Sequence, residues 1–187
     1  MKVDARTKYT KKIIRDCFFS LLREKPLNRI TVKEICEQAD INRTTFYRYY
    51  QDPFDLMDQI EKELLDSFQS YIRSFANHDI KSAIEAMFSA IVNNREIYQI
   101  LISDNGDRHY IHRMVTDSYH IFRKNWENQH PSLSENQCRW LYYYIAQGCV
   151  TITIDWLNSG MKESPAEMAS FIAEMDVAVL EHKFTTL

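Results

Sequence analysis

The chain's 187 residues, 45% of them hydrophobic, can bury a core in one or two domains, and only 3 Gly and 4 Pro argue against a turn-rich sheet protein. No run approaches the ~18 consecutive apolar residues of a membrane span, and Met1-Lys2-Val3-Asp4-Ala5-Arg6 lacks the apolar core of a signal peptide. A cytoplasmic protein with no membrane partner is therefore expected. The net charge of −3 hides an asymmetry: residues 1–51 hold 12 Lys/Arg against 6 Asp/Glu, and residues 52–187 hold 11 against 20. A basic head on an acidic body confines contact with a polyanion to the head.

Hydrophobic spacing predicts an all-α fold of about nine helices. The first runs over residues 7–24 on a stripe of Ile13, Ile14, Cys17, Phe18, Leu21 and Leu22, and Lys25-Pro26 ends it. Thr31 caps the second, whose Val32, Ile35, Cys36 and Ala39 share one buried face. In the turn that follows, Asp40 tolerates an unusual backbone conformation, Ile41 plugs the corner and Asn42 caps the third helix, residues 43–49. A fourth opens at Asp52-Pro53 and carries Leu56, Ile60, Leu64, Phe68, Ile72 and Phe75, with residues 77–79 breaking it. A fifth (80–92) and sixth (95–102) precede a loop at 103–107, and the seventh spans 108–128. Ser134-Glu135-Asn136-Gln137 is a capping box opening the eighth, to Asn158, and Ser164-Pro165 starts the ninth, to about Phe184.

The third helix is too short and polar to be a core element. It presents Arg43, Thr44, Thr45, Tyr47, Arg48 and Tyr49 around one apolar anchor, Phe46. Held by its predecessor, such a helix suits the recognition position of a helix-turn-helix, which enters a major groove. Arg43 and Thr44 at its start, with Lys33 on the preceding helix, are placed to meet base edges. Thr31, Thr45, Tyr47 and Tyr49 carry hydroxyls suited to phosphate oxygens, and Arg48 adds charge.

The run Thr45-Phe46-Tyr47-Arg48-Tyr49-Tyr50, followed by Asp55-Leu56, resembles the DNA-binding domain of TetR-family transcriptional regulators. Two positions depart from that pattern: Asp40 stands where the family usually has a small residue, and Pro53 where it usually has a phosphate-binding lysine. The resemblance implies a head over 1–52 and a helical regulatory and dimerisation body over 53–187. It also implies a homodimer on double-stranded DNA, usually a repressor at a palindromic operator, and a small-molecule effector as in many relatives.

In the body, the eighth and ninth helices carry apolar residues on more than one side, which suits a dimeric four-helix bundle. Ile152, Trp156, Ala169 and Ala173 are its expected interface. An effector pocket is expected among Phe88, Tyr98, Met114, Trp126 and Tyr144, because the body concentrates the aromatic residues. Cys17, Cys36, Cys138 and Cys149 show no CxxC spacing and read as reduced core thiols.

Catalytic motifs are missing: there is no GxGxxG, P-loop, GxSxG or HExxH, so neither an enzyme nor a cofactor is expected. The alternative is a small all-helical enzyme or metal sensor built on His109 and His112, with Asp107, Asp117 and His120 nearby. Six histidines in a chain of this length bring such neighbours together by chance, so no metal is expected.

Overall fold

The computed structural model describes residues 5–74, 80–103, 109–126 and 133–180. Among these residues every regular element is helical: α1 Ala5–Glu24, α2 Val32–Gln38, α3 Arg43–Tyr47, α4 Pro53–Ser74, α5 Ile80–Asn93, α6 Arg95–Leu101, α7 Tyr110–Trp126, α8 Glu135–Asn158 and α9 Pro165–Leu180. The all-α expectation holds, with one addition. A 3-10 turn at Leu27–Arg29 follows Pro26 and is closed by Ile30 N–H donating to Leu27 O at 3.0 Å. The expected break at 77–79, most of the loop at 103–107, and the outer ends of the seventh and ninth helices lie outside the described residues.

The chain divides into two compact units. One comprises Met1–Leu64 with Ile100–Arg108, the other Leu65–Gln99 with His109–Leu187. In the first, α1 packs on α2 and α2 on α3. Its core takes Ile14, Phe18 and Leu22 from α1, one turn apart, with Ile35, Phe46, Tyr50, Leu56 and Ile60. In the second, α5 lies along α9 and α7 along α8. Ala169 and Ala173, buried beside Met168 and Ile172, give α9 a small-residue face that lets a neighbouring helix approach closely. Phe88 of α5 meets Trp156 of α8 edge to face, centroids 5.1 Å apart.

Two helix ends use left-handed residues. After α2, Asp40 adopts φ 50° and Ile41 N–H donates to Cys36 O at 3.1 Å. After α8, Gly160 adopts φ 94° and Met161 N–H donates to Trp156 O at 2.9 Å. Both are six-to-one closures that satisfy a terminal carbonyl, and Asp is one of the few side chains that reaches this region at modest cost.

Candidate nucleic-acid interface

The recognition unit is built from its caps. Thr31 Oγ1 accepts the Glu34 N–H at 3.3 Å, while Glu34 Oε2 accepts both the Thr31 N–H at 3.0 Å and its hydroxyl at 2.8 Å. The ammonium of Lys25 lies 2.5 Å from the other carboxylate oxygen. Lys25 first, then the Thr31 hydroxyl and N–H, hold the Glu34 carboxyl down at about 2. Asn42 caps α3: its Oδ1 accepts the Thr45 N–H at 2.7 Å and the Thr45 hydroxyl at 2.9 Å.

These caps sort the expected DNA-facing side chains. Lys33, Arg43, Thr44, Tyr47 and Arg48 are exposed, Thr45 and Tyr49 half-buried, and Phe46 is fully buried as the anchor. The hydroxyl protons of Thr31 and Thr45 already go to Glu34 and Asn42. In this conformation neither hydroxyl has a proton left to give a phosphate. Lys33 lies 3.7 Å from Glu37 one turn on, both largely exposed. Such a pair stabilises by under about 1 kcal/mol, so Lys33 can leave it for another anion.

α3 ends at Tyr47, two residues short of the expected 49, because the chain tightens: Tyr49 N–H donates to Phe46 O at 2.9 Å. Arg48 and Tyr49 therefore leave in a turn rather than on the helix. Cys36, buried behind the turn, has its thiol pushed up chiefly by burial, and Arg43 nearby opposes that shift.

Sequence reasoning missed the groups that hold this exit. Arg15 of α1 donates from both terminal nitrogens to Glu63 of α4, at 2.7 and 2.6 Å, and from Nε to Tyr50 Oη at 3.4 Å. Lys11 sits over the rings of Tyr49 and Tyr50, 5.9 and 5.6 Å from their centroids. The available signal was the four-residue spacing of Asp55, Gln59 and Glu63, a polar stripe on one face of a helix.

The expected body sites are redistributed. Trp156, Ala169 and Ala173 are buried within the subunit and Ile152 is half-buried, so the first three have almost no surface to offer a second copy. Outward-facing apolar groups on the same two helices are instead Trp140 and Tyr144 of α8 and Phe171 and Met175 of α9. Of the pocket residues, Phe88 and Met114 belong to the core, whereas Tyr144 is 71% exposed and lines no interior. Tyr98 is half-buried, its hydroxyl pushed up to about 12 by burial and then by Tyr71. The Trp126 side chain lies outside the described residues. A packed aromatic cluster joins α7 and α8, with Phe122 and Tyr142 centroids 4.9 Å apart and Tyr142 Oη donating to Val115 O at 2.8 Å.

His109, just before α7, and His112 and His120 on it are exposed, and among the described residues no three His, Cys, Asp or Glu side chains converge on a metal position. Asp107 lies outside that set. No helix among the described residues is long and apolar enough to cross a membrane.

Residues 78–175, just over half the chain, match the TetR family described as "Transcriptional regulator C-terminal region". The chain is similar to the HTH-type transcriptional regulator YxbF of Bacillus subtilis (strain 168), 23% identical over 172 residues, covering 87% of this chain but only 43% of that protein. It is also similar to an HTH-type transcriptional regulator of Haemophilus influenzae, 20% identical, with 87% and 82% of the two chains covered. Among solved structures it resembles the dihydroxyacetone kinase operon activator DhaS, with TM-score 0.63, 22% identity and 92% and 96% of the two chains covered. A TetR transcriptional regulator from Streptococcus agalactiae is similar at TM-score 0.64 and 20% identity, with 90% and 94% covered. The structural likenesses speak for the fold; with the match across the body and a helix-turn-helix at the head, the chain belongs to the TetR family of transcriptional regulators.

Proposed function

We propose that this regulator binds a palindromic DNA site as a homodimer and represses transcription by occluding the promoter. One observation carries the reading: Arg43, Thr44 and Tyr47 of α3 and Arg48 in the turn that follows it face solvent, while Phe46 alone anchors the helix in the core. Arg43 and Thr44 read base edges, with Lys33 alongside. Tyr47, Tyr49 and Arg48 set the register on phosphates, and Thr31 and Thr45 act through the caps they form. DNA binding is assigned to 1–52 and regulation and assembly to 53–187. The action is placed in the cytoplasm, where the DNA is.

A two-fold is supported by the outward apolar residues of α8 and α9. Trp140 and Tyr144 lie one turn apart at 63% and 71% exposure, an apolar face that a second copy can cover. Gly148 follows on the same side, and a Cβ there would meet nothing within 4 Å, so the face is open to a close partner. Control by a small molecule belongs to this reading on the aromatic richness of the second unit.

The test is binding to duplex DNA across a salt series, with mass measured in parallel by light scattering. The expected result is a species of about 45 kDa, twice the 22.3 kDa chain, whose log affinity falls linearly with log salt. A monomer at micromolar concentration, or binding indifferent to salt, would remove the reading.

A further inference from the structure

Asp55, Gln59 and Glu63 stand four residues apart and share one face of α4, and each reaches the segment leaving the recognition helix. Asp55 Oδ2 accepts the Gln51 N–H at 2.7 Å. Gln59 Nε2 donates to the Tyr49 carbonyl at 3.3 Å and to both Asp55 oxygens at 3.2 Å. Glu63 reaches the segment through Arg15, whose guanidinium also donates to Tyr50 Oη. Residues 49, 50 and 51 are thus each tied, directly or through Arg15, to successive turns of α4.

Tyr50 is among the largest fully buried side chains, and a phenylalanine would fill the same space. Its hydroxyl therefore serves a purpose other than packing, and its partner is Arg15. Arg15 in turn is fixed by a two-pronged bond to Glu63, the geometry that orients a guanidinium best. The five-residue α3 has one buried anchor and cannot fix its own tilt. Asn42 holds its start, and the α4 ladder holds its exit.

We infer that Arg15, Glu63 and the Tyr50 hydroxyl are positioning residues for DNA recognition: they set the orientation of α3 without touching DNA themselves. The inference rests on the reading that the head binds duplex DNA. Electrostatics alone predicts the opposite sign for one variant. Removing the negative charge of Glu63 from a DNA-binding head should strengthen attraction to a polyanion, whereas loss of positioning weakens it.

The probe is the duplex most enriched by the wild-type protein from a random-sequence pool, with a scrambled duplex as control, at fixed salt. Glu63→Gln and Tyr50→Phe should each weaken binding to the selected duplex by roughly threefold to tenfold, in the lower part of the range for coupled neighbours, with no such loss on the scrambled duplex. The exchange Arg15→Glu with Glu63→Arg should recover part of what Arg15→Glu alone loses. Melting temperatures of all variants are measured alongside, and Arg15→Lys serves where a charge reversal does not fold. A Glu63→Gln protein that binds the selected duplex as tightly as wild type, or more tightly, overturns the inference. So does a lowered melting temperature with unchanged affinity, which makes the cluster purely structural. A fall on both duplexes with a shallower salt slope for Arg15→Glu, but a slope kept in Arg15→Lys, makes Arg15 a phosphate ligand instead. If the wild type enriches no duplex, the DNA-binding reading itself has failed, a result separate from all of these.

Discussion

Thr45 gives its hydroxyl proton to Asn42: Oγ1 lies 2.9 Å from Oδ1, which also accepts the Thr45 backbone N–H at 2.7 Å. The first turn of the recognition helix is thereby closed by a side-chain pair. Asn42→Ala should destabilise the head by about 1 kcal/mol, the usual loss for a missing N-cap. Urea denaturation followed by circular dichroism checks this, and a midpoint equal to wild type would show that the cap is dispensable.

Base reading is assigned to Arg43. Arg43→Ala should remove about 1–3 kcal/mol of discrimination between the preferred site and its single-base variants, leaving nonspecific binding in place. Tyr47→Phe, which removes only an exposed hydroxyl, should instead weaken binding on all sequences alike, roughly tenfold. Anisotropy titrations on matched and mismatched duplexes separate the two; a uniform loss in Arg43→Ala would move that residue to a phosphate.

Assembly distinguishes the two faces of α8 and α9. Tyr144→Glu places a charge on an outward face and should yield a folded monomer with much weaker DNA binding. Ala173→Arg forces a long cation into a buried position and should unfold the subunit rather than part the dimer. Light scattering with circular dichroism reads both, and a folded, dimeric Tyr144→Glu would exclude that face as the interface.

Asp176 of α9 is pushed up to about 6 by burial. Its folded value exceeds the ordinary 3.8, so its contribution to stability is fully present below about 3.8 and is lost as pH rises through about 6. Asp176→Asn should therefore raise the melting temperature at pH 7.5, by an amount corresponding to ~1 kcal/mol, and the gain should shrink as pH falls toward 4. A gain independent of pH would mean the carboxylate is not what destabilises the wild type.

Helices and caps were legible in the sequence because they depend on local chemistry. Ser134 with Gln137, Thr31, Asn42 and the left-handed Asp40 all act within four residues of the groups they serve. The α4 ladder was harder to see, because its meaning depends on Arg15 arriving from 48 residues away. The apolar faces of α8 and α9 were legible as such, but not which side is buried. Trp156, which packs on Phe88, turns inward with Ala169 and Ala173, whereas Trp140 and Tyr144 turn outward. Thr31 and Thr45 show the same limit: a hydroxyl in a sequence does not say where its proton goes.

Selection of bound sequences from random duplex DNA reads class, stoichiometry and target in one experiment. A dimer with two matched recognition helices predicts an enriched inverted repeat, its half-sites about 34–36 Å apart, centre to centre, or a multiple of that. Loss of enrichment in Arg43→Ala should accompany it. No enrichment over the starting pool would rule out sequence-specific DNA binding, and a single asymmetric site bound by one subunit would rule out a dimer on a palindrome.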